Sequence, residues 1–497
     1  MTLFFGINRP ALAYSMTTLG AGMMNHIFNF YYVKLFLNRY KISEGAFHQA
    51  QVVFMIWNAI NDPLFGYIQD NSKSEFCSIR RRSILFGAPF YALAFLIPWF
   101  PWKDYSEGEW LSGIHLVVAL CVFDGMLTFV LLAQCALFTE ISTKHESRLQ
   151  LIKYNQVASL LGSSSILFCG IVSDNMENIP RFQTFTICLA VLSAACMCYT
   201  GMFGVSQYEQ KYLESNSHSD TSLSWTSVLT LTKQILTQKN FLLFVSMNFF
   251  QVFHATFCSN FMMIFADNLI PKDALPSIVR SIMYGAGSIF PQFLVLISHS
   301  LLLNIGYYKV ILWGFYVEVI SAVLMFLIGP QHYYILATFL VTNIFIAVCL
   351  RLAPDCYRHY RSTDGCVPEE MDQGDGKYDK HRKKYNSDTA SWFLYFHLSS
   401  FFSPITLCRS PLSSMVFGTN ALFTKPAQSL APMFVVTILN QYGYEHLTNK
   451  ADQPDPNLFL GLHDTMFYLT CLVPLCIALI QIVIWTPFSI RSSHITK

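Results

Sequence analysis

Apolar segments of about 20 residues recur along the whole chain, and they constrain the fold more than any other feature. About 20 apolar residues form a helix long enough to cross the hydrocarbon core of a bilayer. Of the 497 residues, 53% are hydrophobic and 12% are Asp, Glu, Lys or Arg, whereas a soluble domain carries about 25% charged residues. So few charges cannot cover a water-soluble particle of this length. The sequence therefore predicts an all-α, multi-pass integral membrane protein.

Twelve such segments lie between charged residues and turn residues, and each predicts one membrane-spanning helix. A polar, Ser-rich stretch separates the first six from the last six, which predicts two six-helix bundles. The parts are an N-terminal bundle at 1–205, a cytosolic linker at 206–240, a C-terminal bundle at 241–486 and a cytosolic tail at 487–497. The predicted spans cover about 11–33, 47–68, 83–100, 111–133, 154–172, 182–205, 241–266, 281–301, 310–328, 333–350, 412–439 and 465–486.

Basic residues are distributed unevenly between the two sets of connecting segments. With the N-terminus placed in the cytosol, 23 Lys and Arg residues lie in the tails and the loops on the same side, against 8 in the opposite loops. Loops rich in Lys and Arg stay in the cytosol. Both termini are therefore predicted to be cytosolic. We expect the plasma membrane, with an internal membrane as the alternative.

The composition also bears on the classes of partner and of chemistry. The net charge of +2 lacks the basic footprint of a nucleic-acid-binding domain. The 14 cysteines show no zinc-binding spacing, and neither a nucleotide-binding loop nor a nucleophile–base constellation is recognisable. We therefore predict no enzyme activity, no nucleic-acid partner and no cofactor other than a coupling proton or sodium ion. The expected partners are a small-molecule solute and membrane lipids.

Three ionisable residues inside predicted spans stand out: Asp62, Asp124 and Lys425. Each such residue costs roughly 2.5 to 3.5 kcal/mol at the centre of a helix on insertion scales, so it needs a partner or a function. If all three face one cavity, Lys425 neutralises one carboxylate and leaves one negative charge for a cation or a proton. The alternative is a structural ion pair between Asp62 and Lys425 that holds the two halves together.

Several motifs occur together in the sequence. They are Asn61-Asp62-Pro63-x-x-Gly66-x-x-x-Asp70, Phe30-Tyr31-Tyr32, the loop residues Glu140, Glu146 and Arg148, and Lys425 followed by Gly443-Tyr444. Together they resemble the glycoside-pentoside-hexuronide:cation symporter branch of the major facilitator superfamily, which includes melibiose permease-like sugar transporters and sodium-dependent lysophospholipid transporters. The segments Asn61 to Gly66, Phe123-Asp124-Gly125, Gln251 to His254 and Thr424-Lys425-Pro426 also resemble one group of animal proteins in the same superfamily.

The resemblance implies a cation or proton site at Asp62, Asn58 and Lys425, and a solute contact at Asp124. In that branch the second span offers two carboxylates one turn apart, whereas Asn58 stands at the first of these positions here. No acidic residue precedes Glu44, so the sugar-binding aspartate of the first span is absent. Hard cations prefer several oxygen ligands. The missing carboxylate at Asn58 predicts weaker sodium binding, and the missing aspartate in the first span counts against a sugar as the solute.

Polar residues at helical spacing mark one face of the first span and one face of the seventh. The first carries His26 and Asn29, and the seventh carries Gln251 and His254. Residues three or four apart share a helix face. One interpretation is a solute-binding cavity between the halves of a duplicated transporter; the other is hydrogen bonding between neighbouring helices.

A cytosolic gate is implied by Gly66, Asp70 and Arg81, which resemble a superfamily motif in which an aspartate and basic residues hold the inward side in one state. The alternative is that basic residues near Arg81 mark topology and contact anionic lipid. An insertion at 351–411 matches nothing in the family, and its charged first part predicts disorder.

The predicted function is secondary active transport of a small organic solute, sugar-like or lysolipid-like, with proton or cation coupling. The alternative is a scaffold or receptor-like membrane protein that does not transport, because a fold does not by itself confer an activity. Asp62, Asp124 and Lys425 favour transport, whereas the missing acid at Asn58 favours the alternative.

Overall fold

A computed structural model of the chain describes residues 8–72, 74–141, 145–204, 237–297, 307–364, 420, 422–447 and 456–488. All regular secondary structure in these ranges is helical. Most of the predicted linker and tail, and the insertion beyond Asp364, lie outside the described residues. The domain boundaries therefore stay predictions.

Twelve long helical stretches lie within the described residues, and we number them in chain order. Two short helices, Glu75–Ser78 and Tyr444–Leu447, lie in the connections. The long stretches are α1 (Arg9–Lys34), α2 (Glu44–Asn71), α3 (Arg80–Leu96), α4 (Trp110–Ile141), α5 (His145–Ser163 continued by Ser165–Ser173), α6 (Ile179–Phe203), α7 (Lys239–Leu269), α8 (Ser277–Ile297), α9 (Tyr307–Ile328), α10 (Tyr333–Asp364), α11 (Pro426–Gln441) and α12 (Pro456–Trp485).

Eight of the described helices are long and apolar enough to cross a membrane, by length and composition. They belong to α3, α4, α5, α6, α7, α9, α11 and α12. The helices α1 and α2 are as long, but they carry buried polar residues such as Asn25 and Asn61. The all-helical membrane fold is thus confirmed, whereas the number of twelve spans stays a prediction.

The helices pack as two groups that meet along three pairs. In the first group α1 packs on α5 and α6, and α4 packs on α2 and α3; in the second, α7 packs on α10, α11 and α12. The groups meet where α1 contacts α7, α2 contacts α11, and α5 contacts α8. If six is added to or subtracted from the helix numbers, the α2–α11 pair becomes the α8–α5 pair. This correspondence is expected when two repeats are related by a pseudo-two-fold axis.

A glycine allows α5 and α8 to approach closely across the interface. A Cβ atom added at Gly285 in α8 would lie 2.6 Å from the Cβ of Leu167 in α5. Real side chains do not pack at that distance, so any larger residue at Gly285 pushes the two groups of helices apart.

The end of α10 differs from the predicted span. The apolar segment predicted a span at 333–350, whereas the helix continues to Asp364 and so extends into the predicted insertion. Apolar composition marks the part of a helix that lies in hydrocarbon, but polar residues can continue the same helix beyond the membrane surface. Residues 351–364 of the insertion are therefore a helical extension of α10, whereas the charged part for which disorder is predicted lies outside the described residues.

Candidate functional site

A cavity of about 200 Å³ lies between the two groups of helices. Its lining comes from α1, α2, α4, α5, α7, α8, α10 and α11, so both groups contribute to it. One wall is aromatic: Phe28 of α1 stacks on Phe123 of α4 with ring centroids 3.8 Å apart. Further apolar residues such as Phe54 and Leu120 line the cavity, together with polar side chains such as Asn25 and Asp124. The cavity can therefore contact both apolar and polar groups of a ligand.

An ion pair crosses the interface at the edge of this cavity. The Nζ atom of Lys425 lies 2.6 Å from Oδ2 of Asp62, and the two side chains are 13% and 9% exposed. The same ammonium donates to the backbone carbonyl of Asn58 at 3.2 Å and to Oδ1 of Asn61 at 3.4 Å. Since Asp62 lies in α2 and Lys425 precedes α11, the pair joins the two groups of helices.

Asn61 connects this pair to the second acid. Its Nδ2 atom donates to Oδ2 of Asp124, and it lies 3.4 Å from Oγ1 of Thr128. Asn61 thus links Asp62, Asp124 and Lys425, and we call these four residues the cavity network. The network holds two carboxyl groups and one ammonium group, so its acidic groups outnumber its basic groups by one. The sequence placed Asn61 in a motif but assigned it no role.

Asn58 stands at the position where the resemblance implies a second carboxylate. Its Nδ2 atom donates to Oε1 of Gln428 in α11 at 3.1 Å, which adds a neutral contact across the interface. Its Oδ1 atom is buried and has no hydrogen-bond partner among the described residues. Asn58 therefore offers an uncharged acceptor one turn before Asp62.

Each member of the ion pair directly precedes a proline. Pro63 lies inside α2, and Pro426 is the first residue of α11, where the helical turn that ends at Thr424 is interrupted at Lys425. Proline has no backbone N–H and cannot complete the helical hydrogen-bond pattern. The backbone at Lys425 keeps helical dihedral angles, so Pro426 removes one hydrogen bond next to Lys425 without breaking the path of the helix.

The two predicted polar faces have different surroundings. Asn29 donates to Oδ1 of Asn25 at 2.9 Å, and both line the cavity with His26. Gln251 donates to the carbonyl of Ala347 and accepts from Gln481 at 2.8 Å. Hydrogen bonding between helices, the second interpretation, therefore describes Gln251.

His254 is not among the residues that line the cavity. Its Nδ1 atom lies 3.1 Å from Oε1 of Glu318 in α9, and both side chains are fully buried. The predicted solute contacts of Gln251 and His254 stay predictions, and the geometry of this cavity does not support them. Glu318 was not identified from the sequence, where it appeared only as an isolated acid inside an apolar segment.

The predicted gate is only partly described. Gly66 is buried within α2, and Asp70 lies in the last turn of α2 with a side chain outside the described part of the structure. Arg81 donates to the carbonyl of Gly201 in α6 at 3.4 Å, and Arg80 donates to the carbonyl of Gln69 at 3.2 Å. Both of these contacts lie within the N-terminal group of helices.

The opposite end of the cavity is closed by a second group of charges, which we call the closing cluster. Lys34, at the end of α1, lies 2.6 Å from Oδ2 of Asp267 in α7 and donates to the carbonyl of Asn175 at 3.2 Å. Arg280 of α8 lies 3.1 Å from the other oxygen of Asp267. In the sequence, Lys34 and Arg280 contribute only to the assignment of membrane topology. Their ion-pair partners are distant in the chain, so the pairs could not be predicted.

A further set of contacts closes the same end between α2 and α11. The backbone N–H of Glu44 donates to Oε1 of Glu445 at 2.9 Å. The hydroxyl of Tyr444 donates to Oδ1 of Asn38 at 2.7 Å. These contacts lie in the loops that follow α1 and α11, at the end opposite the start of α1. The cavity is thus closed at that end in this conformation.

Comparisons with known proteins agree with this architecture. A family profile described as MFS/sugar transport protein matches residues 13–356. Transmembrane protein 180 of Gallus gallus is 28% identical over 98% of this chain and 93% of its own length. A protein of Synechocystis named an uncharacterized symporter is 25% identical over 38% of this chain and 36% of its own length. The xylose transporter XylE from E. coli, solved in a partially occluded inward-open conformation, has a TM-score of 0.57, 10% identity, and coverage of 97% and 98%.

These findings confirm the resemblance that the motifs carried. The animal group indicated by the segments around Asp62, Asp124, His254 and Lys425 is the transmembrane protein 180 group. The solved transporter shares the fold.

Proposed function

Because this chain belongs to the MFS/sugar transport protein family, we propose that it is a secondary active transporter that couples a proton to the movement of a small organic solute. The observation that carries this proposal is the cavity network, in which Asp62 and Lys425 join the two groups of helices beside a cavity. Ionisable groups in the membrane that face a cavity mark proton relays and substrate paths.

Protonation of Asp62 changes the contact between α2 and α11. The ionised carboxylate attracts the ammonium of Lys425 at 2.6 Å, whereas a neutral carboxyl group does not. A proton on Asp62 therefore weakens one connection between the two groups of helices and favours their rocking motion. Lys425 in turn competes with the proton for Asp62, so it sets the proton affinity of that carboxylate.

The donor set fits a proton better than a sodium ion. Sodium needs several oxygen ligands, preferably charged ones, but the nearest carboxylate is already occupied by the Lys425 ammonium. Asn58 supplies an amide where a second carboxylate would be needed, and no group of three His, Cys, Asp or Glu side chains able to hold a metal occurs in the described residues. We therefore assign the coupling role to a proton.

A sugar-like solute fits this cavity better than a lysolipid. The volume of about 200 Å³ is below the roughly 300–1,000 Å³ of drug-sized ligand pockets. Asp124, Asn25 and Asn29 can bond hydroxyl groups, and the Phe28–Phe123 wall can cover the apolar face of a ring. The excess acid at Asp124 replaces, on another helix, the carboxylate that the first span lacks.

The first experiment measures the thermal stability of the purified protein with sugars, lysolipids and small organic ions, at two pH values, with and without sodium. A ligand that binds the folded state raises the apparent stability by mass action. We expect a shift with a sugar-like compound that depends on pH and not on sodium.

Asp62→Asn tests the coupling in proteoliposomes that contain the compound identified in this way. We expect loss of uptake driven by a proton gradient. Because the variant also removes one partner of a buried ion pair and so lowers the stability, uptake is compared at equal amounts of folded, inserted protein. Asp464→Asn is the matched control, because that carboxylate is 60% exposed near the start of α12. Unchanged gradient-driven uptake in Asp62→Asn contradicts the proposal.

The rival function is a scaffold or receptor-like protein, which Asn58 and the absence of acids before Glu44 favour. A scaffold needs no ligand in the cavity. A folded protein whose stability responds to no compound at either pH, and whose Asp62→Asn variant behaves like the parent, would support the rival.

A further inference from the structure

A single acidic residue interrupts the buried face of α9. Ile311, Phe315, Ala322 and Met325 are buried along one stripe of this helix, and Glu318 lies in the middle of the stripe with no exposed surface. The rest of α9 is largely exposed and apolar, as expected for a surface that faces lipid. Glu318 is therefore enclosed by the C-terminal group of helices and separated from water.

His254 of α7 faces this acid. The Nδ1 atom of His254 lies 3.1 Å from Oε1 of Glu318, and both side chains are 0% exposed. His254 is the middle residue of Lys239–Leu269, and Glu318 is the middle residue of the apolar segment Tyr308–Ile328. The pair thus lies at the depth where an ionisable group is most costly.

Few other charges are available near this pair. On α7, Gln251 and Cys258 share the face of His254, and Gln251 is bonded to Gln481 of α12. Residues 335–348 of α10 and 465–486 of α12 contain no Asp, Glu, Lys, Arg or His. The titratable thiol of Cys471 is buried on α12.

The charged residues in α1 and just before α11, two helices that also pack on α7, contact groups other than this pair. Lys425, before α11, is paired with Asp62. His26 and Lys34 of α1 lie in the cavity lining and in the closing cluster. Within the described residues, His254 and Glu318 therefore depend on each other.

The number of protons on the pair follows from its burial. With one proton on the pair, its net charge is zero, whether the proton lies on the carboxyl oxygen or on the imidazole nitrogen. With none it carries one negative charge, and with two it carries one positive charge. A net charge without a partner is strongly disfavoured in a buried site. The closed pair therefore holds one proton.

We propose that His254 and Glu318 form a proton-binding site inside the C-terminal group of helices, separate from the cavity network. The site keeps one proton while it is closed, and releases that proton to water, as a carboxylate and a neutral imidazole, only when α7 and α9 admit water. This site does not depend on the identity of any solute or on transport itself. It gives the C-terminal group of helices its own response to pH.

The test is the pH dependence of the unfolding equilibrium, measured by denaturant titration of the full-length protein in mild detergent. In the unfolded chain a histidine titrates near 6.5 and a glutamate near 4.3. Above pH ~6.5 the unfolded pair binds no proton while the folded pair binds one, so stability falls as pH rises. Between about pH 4.3 and 6.5 both states bind one proton, and the pair contributes no pH dependence.

Glu318→Gln removes the proton from the folded site. Above pH ~6.5, the ratio of the parent's unfolding equilibrium constant to that of Glu318→Gln should rise about tenfold per pH unit. The reason is that the folded parent holds one proton more than its unfolded chain, whereas the variant does not. Comparison with the parent cancels the contributions of all other groups. Equal slopes in the two proteins overturn the proposal.

His254→Gln provides an independent test if Glu318→Gln does not fold. A lone buried carboxyl group stays protonated, so the folded state still holds one proton, but the unfolded chain now loses its proton near 4.3. The fall in stability with rising pH should therefore begin about two pH units lower than in the parent. Asp464→Asn serves as the control and should keep the parent's profile. An onset that stays at the parent's pH also contradicts the proposal.

Discussion

The cavity network and the closing cluster both join the two groups of helices through a lysine, yet their charges are arranged differently. At the cavity network one ammonium serves two acids, because Asn61 links Asp124 to the Asp62–Lys425 pair. At the closing cluster one acid, Asp267, serves two cations, Lys34 and Arg280. The cavity network therefore leaves one carboxyl group that can bind a proton or a solute. The closing cluster uses its only acid to hold one end shut.

The two clusters also differ in how many of their bonds cross the interface. The whole Asp62–Lys425 pair spans the interface, whereas Arg280 bonds within the C-terminal group, to Asp267 and to the carbonyls of Ala266 and Leu275. Only Lys34 connects the closing cluster to the N-terminal group. Loss of a bond within one group lowers the stability of the fold, while loss of a bond between groups changes the balance of conformations. Mutations can separate these effects.

Lys425→Met should have the largest effect on stability. It leaves Asp62 nearly buried and without its cation, and breaking a buried pair by removing one partner costs roughly 3–5 kcal/mol. Denaturant titration at neutral pH should show this loss. The double variant Asp62→Asn with Lys425→Met removes both charges, so we expect it to recover most of the stability; a double variant as unstable as the single one contradicts the ion-pair assignment.

Arg280→Met should have the next largest effect. The guanidinium is 4% exposed and donates to the backbone carbonyls of Ile270 and Leu275 between α7 and α8, which would lose this donor. Each unsatisfied buried group costs about 1–3 kcal/mol. Thermal unfolding measures the loss, and Arg181→Met is the control, because Arg181 is exposed at the start of α6 on the same side. Equal stability of the two variants would show that Arg280 has no such structural role.

Lys34→Met should open the closed end with little loss of overall stability. It removes the bond to Asp267 and the bond to the carbonyl of Asn175, while Arg280 still neutralises Asp267. A shift of about 1.4 kcal/mol between the open and closed conformations is a tenfold change in their ratio. Hydrogen exchange at 174–178 and 270–277 measures this change, and we expect faster exchange there than in the parent. Unchanged exchange at those residues would show that Lys34 does not hold the end closed.

Lys272→Met should have the smallest effect, although Lys272 is paired with Glu177 in the same region. The two side chains are 70% and 52% exposed, and exposed ion pairs contribute little because water and salt screen them. Hydrogen exchange at the same residues should not change measurably. A response as large as that of Lys34→Met would show that general surface charge, and not the buried contact of Lys34, keeps the end closed.

The sequence identified part of the site because a charge in an apolar segment is visible without a structure. Asp62, Asp124 and Lys425 were found in this way, and they do meet. Glu318 lies in an equally apolar segment, but it belongs to no family motif, so the sequence alone gives it no role. Lys34 and Arg280 could not be identified, since charges near the predicted ends of helices are ordinary topology signals.

The sequence by itself determined that the chain is a helical membrane protein, because apolar length and scarce charge depend on composition alone. It also determined which residues are too polar for hydrocarbon. Only the tertiary structure decided their partners: Lys425 with Asp62, Lys34 with Asp267, and His254 with Glu318. These pairs join residues far apart in the chain, and their formation depends on how the helices pack and rotate. Helical periodicity fixes the face on which a residue lies, but not the helix which that face meets.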